Sequence, residues 1–121
     1  MDSNEKILKI GIIGAGPSGL VLALALSKRE NVYVTVFEKS SDHKNIPTFN
    51  PSRSYTIDIT GHGEKAIKSL NVQERFNKNL IKFKGIKIPI IWPGFSEEYH
   101  GDGWTGSRGD ICRTLLEEIE E

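Results

Sequence analysis

Several scarcities narrow the class of this chain before any motif is read. Cysteine occurs once, at Cys112. No internal disulfide can close, and no cysteine-based metal centre can be assembled. A lone thiol is compatible with a reducing compartment. Net charge is absent, because 16 Lys and Arg balance 16 Asp and Glu. No overall field therefore draws the chain to nucleic acid or to an anionic membrane surface. Long apolar runs are also missing. The longest, Leu20 to Leu26, is too short to cross a bilayer. The opening Met1-Asp2-Ser3-Asn4-Glu5-Lys6 places two acids ahead of the first apolar stretch and lacks a signal-peptide pattern. A cytoplasmic location is the default expectation. Neither an internal repeat nor a low-complexity tract is visible. At 121 residues, with 26% charged and 37% apolar side chains, the chain has the make-up of a single folded domain rather than a disordered segment.

What is present is concentrated near the start. Ile7 to Ile13 is strand-like, and Gly14, Gly16 and Gly19 follow with G-x-G-x-x-G spacing. In a dinucleotide site the first glycine permits the tight turn out of the strand. The second lets backbone approach a pyrophosphate, and the third lets the helix pack close to the sheet. Pro17 stands at the first helical position, where its missing N–H costs nothing. The free N–H groups and positive end of that helix then face an anion. Helix one is expected from about Pro17 to Arg29, apolar nearly all round and so buried on more than one side. Lys28 and Arg29 suit its negative end, and Asn31 is expected to supply a left-handed stop. A second strand, Val32 to Phe37, reads as a parallel strand covered on both faces. It ends at Glu38, about 20 residues beyond the glycines, where an acid is needed to hold an adenosine ribose. The competing reading is a glycine turn in another α/β fold, with Glu38 an ordinary strand-end charge. The order strand, glycines, helix, strand, acid favours one right-handed βαβ unit with a dinucleotide site.

Ser40 to Pro51 is loop-like in composition, and His43 within it is expected to be solvated. Arg53 to Thr60 is strand-like. Thr60 is placed to cap a helix from about His62 to Leu70, with Ala66, Ile67 and Leu70 on its apolar face and Asn71 closing it. His62, flanked by glycines, is read as an exposed helix start rather than a ligand. Val72, Phe76 and Leu80 recur at a spacing of four and predict another short helix. Lys82 to Trp92 alternates lysines with apolar residues, as in a half-exposed antiparallel strand, and Pro89 argues for an edge or a bulge. Pro93 to Gly106 reads as a loop. His100 and Asp102 in it lack a convincing third partner, so no metal site is expected.

The final helix is expected from Arg108 onward. Ser107 is its N-cap, and Asp110 three residues later completes a capping box. Ile111, Cys112, Leu115, Leu116 and Ile119 form the apolar stripe, with Cys112 as a small core residue. Glu117, Glu118, Glu120 and Glu121 crowd the end where the macrodipole disfavours negative charge. With no glycine stop and no cationic last turn, this helix is expected to continue.

Three blocks together resemble the N-terminal part of the FAD-dependent monooxygenases of the p-hydroxybenzoate hydroxylase class, which includes kynurenine 3-monooxygenase-like enzymes. The first is Gly14 to Leu20 with Val36-Phe37-Glu38-Lys39. The second is Arg53 to Thr60, followed by Gly63 and Ala66 to Leu70. The third is Ser107-Arg108-Gly109-Asp110-Ile111 with Leu115-Leu116. The first block is shared with many FAD and NAD proteins; the other two, in this order, point to the monooxygenases. The resemblance implies an α/β fold with a Rossmann-like FAD-binding βαβ core, further helices and an antiparallel strand segment. It implies that residues 82–106 begin the substrate-side sheet, and that 1–121 form the N-terminal portion of a larger, here incomplete, FAD/NAD(P)-binding domain. Gly14, Ala15, Gly16, Pro17, Ser18 and Gly19 would surround the FAD diphosphate. Glu38 would bond the ribose with Lys39 beside it, and Arg53 and Arg108 would approach the cofactor. Arginine's planar fork suits phosphate oxygens; the alternative for either arginine is a salt bridge.

In such enzymes NADH or NADPH reduces the flavin, and oxygen and a small, often aromatic, substrate complete the reaction. The chemistry belongs to the flavin, so no catalytic side chain is expected in this stretch. The family's enzymes are considerably longer, and their later motifs for the nicotinamide and the flavin ribityl chain are not in this sequence. Weak or absent FAD binding is therefore expected of the isolated chain, and an inactive protein. Kynurenine hydroxylases also place an arginine for the substrate carboxylate in the region of Phe83 and Lys84. None is present here, which argues against kynurenine. Two alternatives stand beside the monooxygenase reading. One is an NAD-dependent Rossmann dehydrogenase or reductase. The other is a non-enzymatic nucleotide-binding remnant with an exposed apolar edge.

Overall fold

A computed structural model of the protein describes residues 6–45, 55–89 and 96–121. The chain opens with strand β1 (Leu8–Ile13), helix α1 (Pro17–Ser27) and strand β2 (Val32–Phe37). β1 and β2 pair in parallel, from Leu8 opposite Val32 to Ile13 opposite Phe37. The helix that joins them packs back onto the pair, so the expected βαβ unit is present. Pro17 is its first helical residue and Gly16 its N-cap. α1 ends sooner than expected. Lys28 is the C-cap, and its ammonium donates to the carbonyl of Leu70. Among the described residues the left-handed non-glycine is Asn71, at φ 58°, and not Asn31.

α1 buries Leu20, Ala23 and Leu24 but leaves Leu22 exposed. The expectation that helix and strand are covered all round is thus only half met. The sheet face carrying Ile13, Tyr33 and Phe37 is open, with Ile13 93% exposed.

A short 3-10 turn at His43–Asn45 follows. Arg53 lies outside the described residues. Strand β3 (Thr56–Ile59) leads into helix α2 (Gly61–Ser69). Thr60 is the N-cap as expected, but through its backbone: its carbonyl accepts from the N–H of Gly63 at 3.0 Å, and its side chain makes no capping bond. Helix α3 (Gln73–Asn79) is flanked and filled by buried Val72, Phe76 and Leu80. Strand β4 (Ile81–Pro89) is an edge strand, with Pro89 at its last position.

The chief departure is strand β5 (Ser96–Ser107), in a stretch whose glycines predict a loop. It is the middle strand of an antiparallel sheet ordered β3-β5-β4, with Ile59 opposite Trp104 and Ile81 opposite Thr105. Two of its glycines, Gly103 and Gly106, are packing residues. A Cβ on Gly103 would sit 2.5 Å from the Ile59 carbonyl oxygen and 2.6 Å from the Phe83 ring. A Cβ on Gly106 would sit 2.4 Å from Leu80. Neighbouring side chains fill the space that a side chain on β5 would need.

Helix α4 (Arg108–Glu120) closes the described fold. Ser107 accepts from the N–H of Asp110 at 3.0 Å and donates its hydroxyl to the Asp110 carboxylate at 2.7 Å. The cap is as expected, with the acid returning to the serine hydroxyl. The crowded acids at the far end are paired. Arg75 bridges to Glu117 at 3.3 Å, to Glu118 at 2.7 Å and to Glu121, and Lys44 bridges to Glu120. The core is one cluster joining Leu20 and Leu24 of α1 to Phe76, Trp104, Ile111 and Leu115. The Phe76 and Trp104 rings meet edge to face at 5.7 Å, and the indole N–H donates to Asn77 at 2.8 Å. No helix among the described residues is long and apolar enough to cross a membrane.

Candidate functional site

The site is built on the turn between β1 and α1. Gly14 has φ 102°, a conformation that disfavours any side chain. Its N–H donates to the Phe37 carbonyl at 2.7 Å, so the ends of the two parallel strands are tied. A Cβ on Gly19 would lie 2.1 Å from the Gly14 carbonyl oxygen. Only a glycine there lets α1 come this close to the turn.

The backbone between these glycines is held from two sides. The N–H of Ala15 donates to one carboxylate oxygen of Glu38 at 2.8 Å. The other oxygen accepts from the N–H of Ser40 at 2.9 Å. The Ser40 N–H, then the Ala15 N–H, hold the Glu38 carboxyl below its usual range, so it is anionic at neutral pH. A carboxylate oxygen has two lone pairs, so one that holds a backbone N–H can also accept from a hydroxyl.

Arg108, the first residue of α4, leans over the same turn. A Cβ on Gly16 would lie 3.0 Å from its Nη2. The missing side chain at Gly16 is what admits the guanidinium. Ser18 and Lys39 are exposed at the rim, and the first-turn N–H groups of α1 have no carbonyl one turn back to bond. The structure thus brings Gly14, Ala15, Gly16, Pro17, Ser18, Gly19, Glu38, Lys39 and Arg108 to one place. A cation and open amides beside a fixed carboxylate suit a ligand with both phosphate and ribose. The guanidinium that fills the space at Gly16 puts its charge where such a diphosphate would need it.

Two residues of the site were hidden in the sequence. His43 is 5% exposed, not solvated, and its Nε2 lies 2.8 Å from the Ala15 carbonyl oxygen. Since that oxygen only accepts, Nε2 carries the proton. Arg113 holds the His43 carbonyl at 3.4 Å and the Asp110 carboxylate at 3.1 Å. Neither role follows from periodicity, because His43 lies in a polar loop and nothing beside Arg113 in the sequence signals that His43 will come within its reach. Cys112 is buried as expected. Burial pushes its thiol up to about 11 against the pull of Arg108, which leaves it protonated and unreactive. His62 is exposed at the start of α2. A separate recess of about 230 Å³ between α3 and α4 is lined by Asn79, Asp110, Arg113, Thr114 and Glu117, and none of the expected site residues lies in it.

A turn that joins a parallel βαβ pair and presents amides, an arginine and a strand-end acid defines a dinucleotide-binding domain of Rossmann type. Residues 12–76 match the family of NAD(P)-binding Rossmann-like domains, and the chain belongs to that family. Over its length it is similar to curated kynurenine 3-monooxygenases. That of Stenotrophomonas maltophilia is 26% identical over 117 residues, covering 93% of this chain and 25% of that protein. That of Candida albicans is 28% identical over 130 residues, covering 100% of this chain and 28% of that protein. The chain spans about a quarter of the length of the curated relatives it matches. Among solved structures, a variant of 2-methyl-3-hydroxypyridine-5-carboxylic acid oxygenase superposes with TM-score 0.65 at 16% identity, over 95% of this chain and 30% of that one. Tetracycline destructase Tet(51) superposes with TM-score 0.60 at 18% identity, over 95% of this chain and 28% of that one. These establish a shared fold. The resemblance to the N-terminal part of flavin monooxygenases, drawn from three sequence blocks, is borne out.

Proposed function

We propose that this chain forms the adenosine-diphosphate side of an FAD site in a flavin-dependent monooxygenase. In such an enzyme bound FAD, reduced by NADH or NADPH, activates oxygen to hydroxylate a small aromatic substrate. The chain's own residues bind and orient. The α1 amides and Arg108 would hold the diphosphate, Glu38 would accept from the ribose hydroxyls, and Lys39 would add positive charge at the rim; the family resemblance alone assigns Arg53 to the cofactor. The observation that carries this reading is the arginine of α4 lying over Gly16 while Glu38 is fixed at the same turn by two backbone N–H groups. The sheet β3-β5-β4 would begin the substrate side. The relatives are named for kynurenine, but with Phe83 and Lys84 where an arginine is expected, another aromatic substrate fits better. The 121-residue chain alone is expected to show no NAD(P)H oxidation.

FAD titration of the purified chain, followed by flavin fluorescence, tests the reading. Saturable binding, weak in the wild type and lost in Gly16→Val and Glu38→Ala with the fold intact, is the expected result. The family description favours a second reading, a site for NAD itself. Binding of NAD in preference to FAD or ADP would select it. A folded chain that binds none of the three would leave the motif reading intact and assign cofactor binding to the rest of such an enzyme.

A further inference from the structure

We propose that His43 is a positioning residue for the peptide of the glycine turn that faces a bound phosphate. The inference rests on the dinucleotide reading of that turn. The peptide bonds of the turn are trans, and a trans peptide points its C=O and its N–H in opposite directions. Two such peptides make the turn, and each is held by one partner. In the first, from Gly14 to Ala15, the N–H is fixed by Glu38 at 2.8 Å, while the carbonyl turns toward α1, where Gly19 makes room for it. In the second, from Ala15 to Gly16, the carbonyl is fixed by His43 Nε2 at 2.8 Å. The Gly16 N–H therefore faces away from His43. His43 thus decides where the amide of the second glycine points, the one residue in the turn whose missing side chain leaves room beside Arg108.

His43 is itself held. It is 5% exposed, its carbonyl accepts from Arg113 of α4 at 3.4 Å, and the next residue, Lys44, is paired with Glu120 of the same helix. A buried imidazole anchored to α4 and reaching back to the glycine turn gives that turn a rigid support, so less order has to be imposed when a ligand arrives.

The test compares His43→Leu, which fills the space without a donor, with His43→Gln, whose side-chain amide can donate in place of Nε2–H. The full 121-residue chain is used for both readouts. The first is the amide NMR spectrum without ligand. In His43→Leu the Gly16 amide signal should shift and broaden while the Ala15 amide, held by Glu38, stays in place. The second is ADP affinity, which should fall about tenfold in His43→Leu, at the upper end of what one hydrogen bond supplies. His43→Gln should restore both. Wild-type behaviour in His43→Leu, or a folded His43→Gln as impaired as His43→Leu, would overturn the proposal. Should both variants unfold, the wild-type imidazole decides: a slowly exchanging Nε2 proton bonded to the Ala15 carbonyl supports the clamp, and a freely exchanging one removes it. If the wild type binds neither ADP nor FAD, the affinity comparison drops out, and the Gly16 signal alone decides whether His43 orients that peptide: an unmoved signal in His43→Leu overturns the proposal.

Discussion

The two halves of the molecule reach order by opposite means. In the β1-α1-β2 half, the decisive features are absent atoms and backbone bonds. Gly19 leaves space for a carbonyl, Gly16 for a guanidinium, and the two peptides from Gly14 to Gly16 are tied to Glu38 and His43. One face of its sheet stays open at Ile13, Tyr33 and Phe37. In the β3-β5-β4 half, order comes from volume. Trp104 and Phe76 are all but fully buried and in contact, and even Gly103 and Gly106 of β5 serve that packing. A turn meant to meet a ligand needs exposed, preoriented backbone; the half behind it needs a filled interior to hold that backbone still.

The contrast can be broken by substitutions that act on one half only. The largest effect is expected from Trp104→Ala, which removes the central ring of the packed half and should cost about 3–5 kcal/mol in urea unfolding. Gly19→Val comes next. Its side chain would overlap the Gly14 carbonyl, so α1 must move from the turn, at a cost of about 1–3 kcal/mol, and the amide signals of Gly14 and Ala15 should move further than those of β4 and β5. Equal disturbance in both halves would show that they are not separately organised. The smallest effect is a pH dependence at Glu38. Because folding lowers its carboxyl from the ordinary value of 4.5, the bonds to Ala15 and Ser40 support the fold above that pH and are lost as pH falls through the lowered value. The Ala15 and Ser40 amide shifts should follow this titration together, and Glu38→Gln should flatten it.

The same contrast explains what was legible in the sequence. The order of elements in the parallel half was legible, because glycine spacing, a proline at the helix start and an acid at the strand end each have one local cause; the end of α1 and the open sheet face were not. Strand β2 runs from Val32 to Phe37, as its β-branched and aromatic residues predict, and Ser107 caps α4 as its spacing with Asp110 predicts. Strand β5 was missed for a physical reason. Gly103 and Gly106 look like turn residues along the chain, but their role depends on Ile59, Phe83 and Leu80, which fill their places from other elements. His43 was missed likewise, since nothing near it in sequence indicates that Ala15 will come within reach. Asn31 and Asn71 offered the same local signal, and the left-handed position went to Asn71, where α2 turns into α3.

Helix α4 joins these halves as a strut. Arg108 at its beginning leans on the glycine turn, Arg113 in its middle holds the carbonyl of His43, and the acids of its last turns are gripped by Arg75 of α3. The guanidinium over the turn and the grip on α3 are thus two ends of one rod. The acids that look misplaced against the helix dipole are its footing.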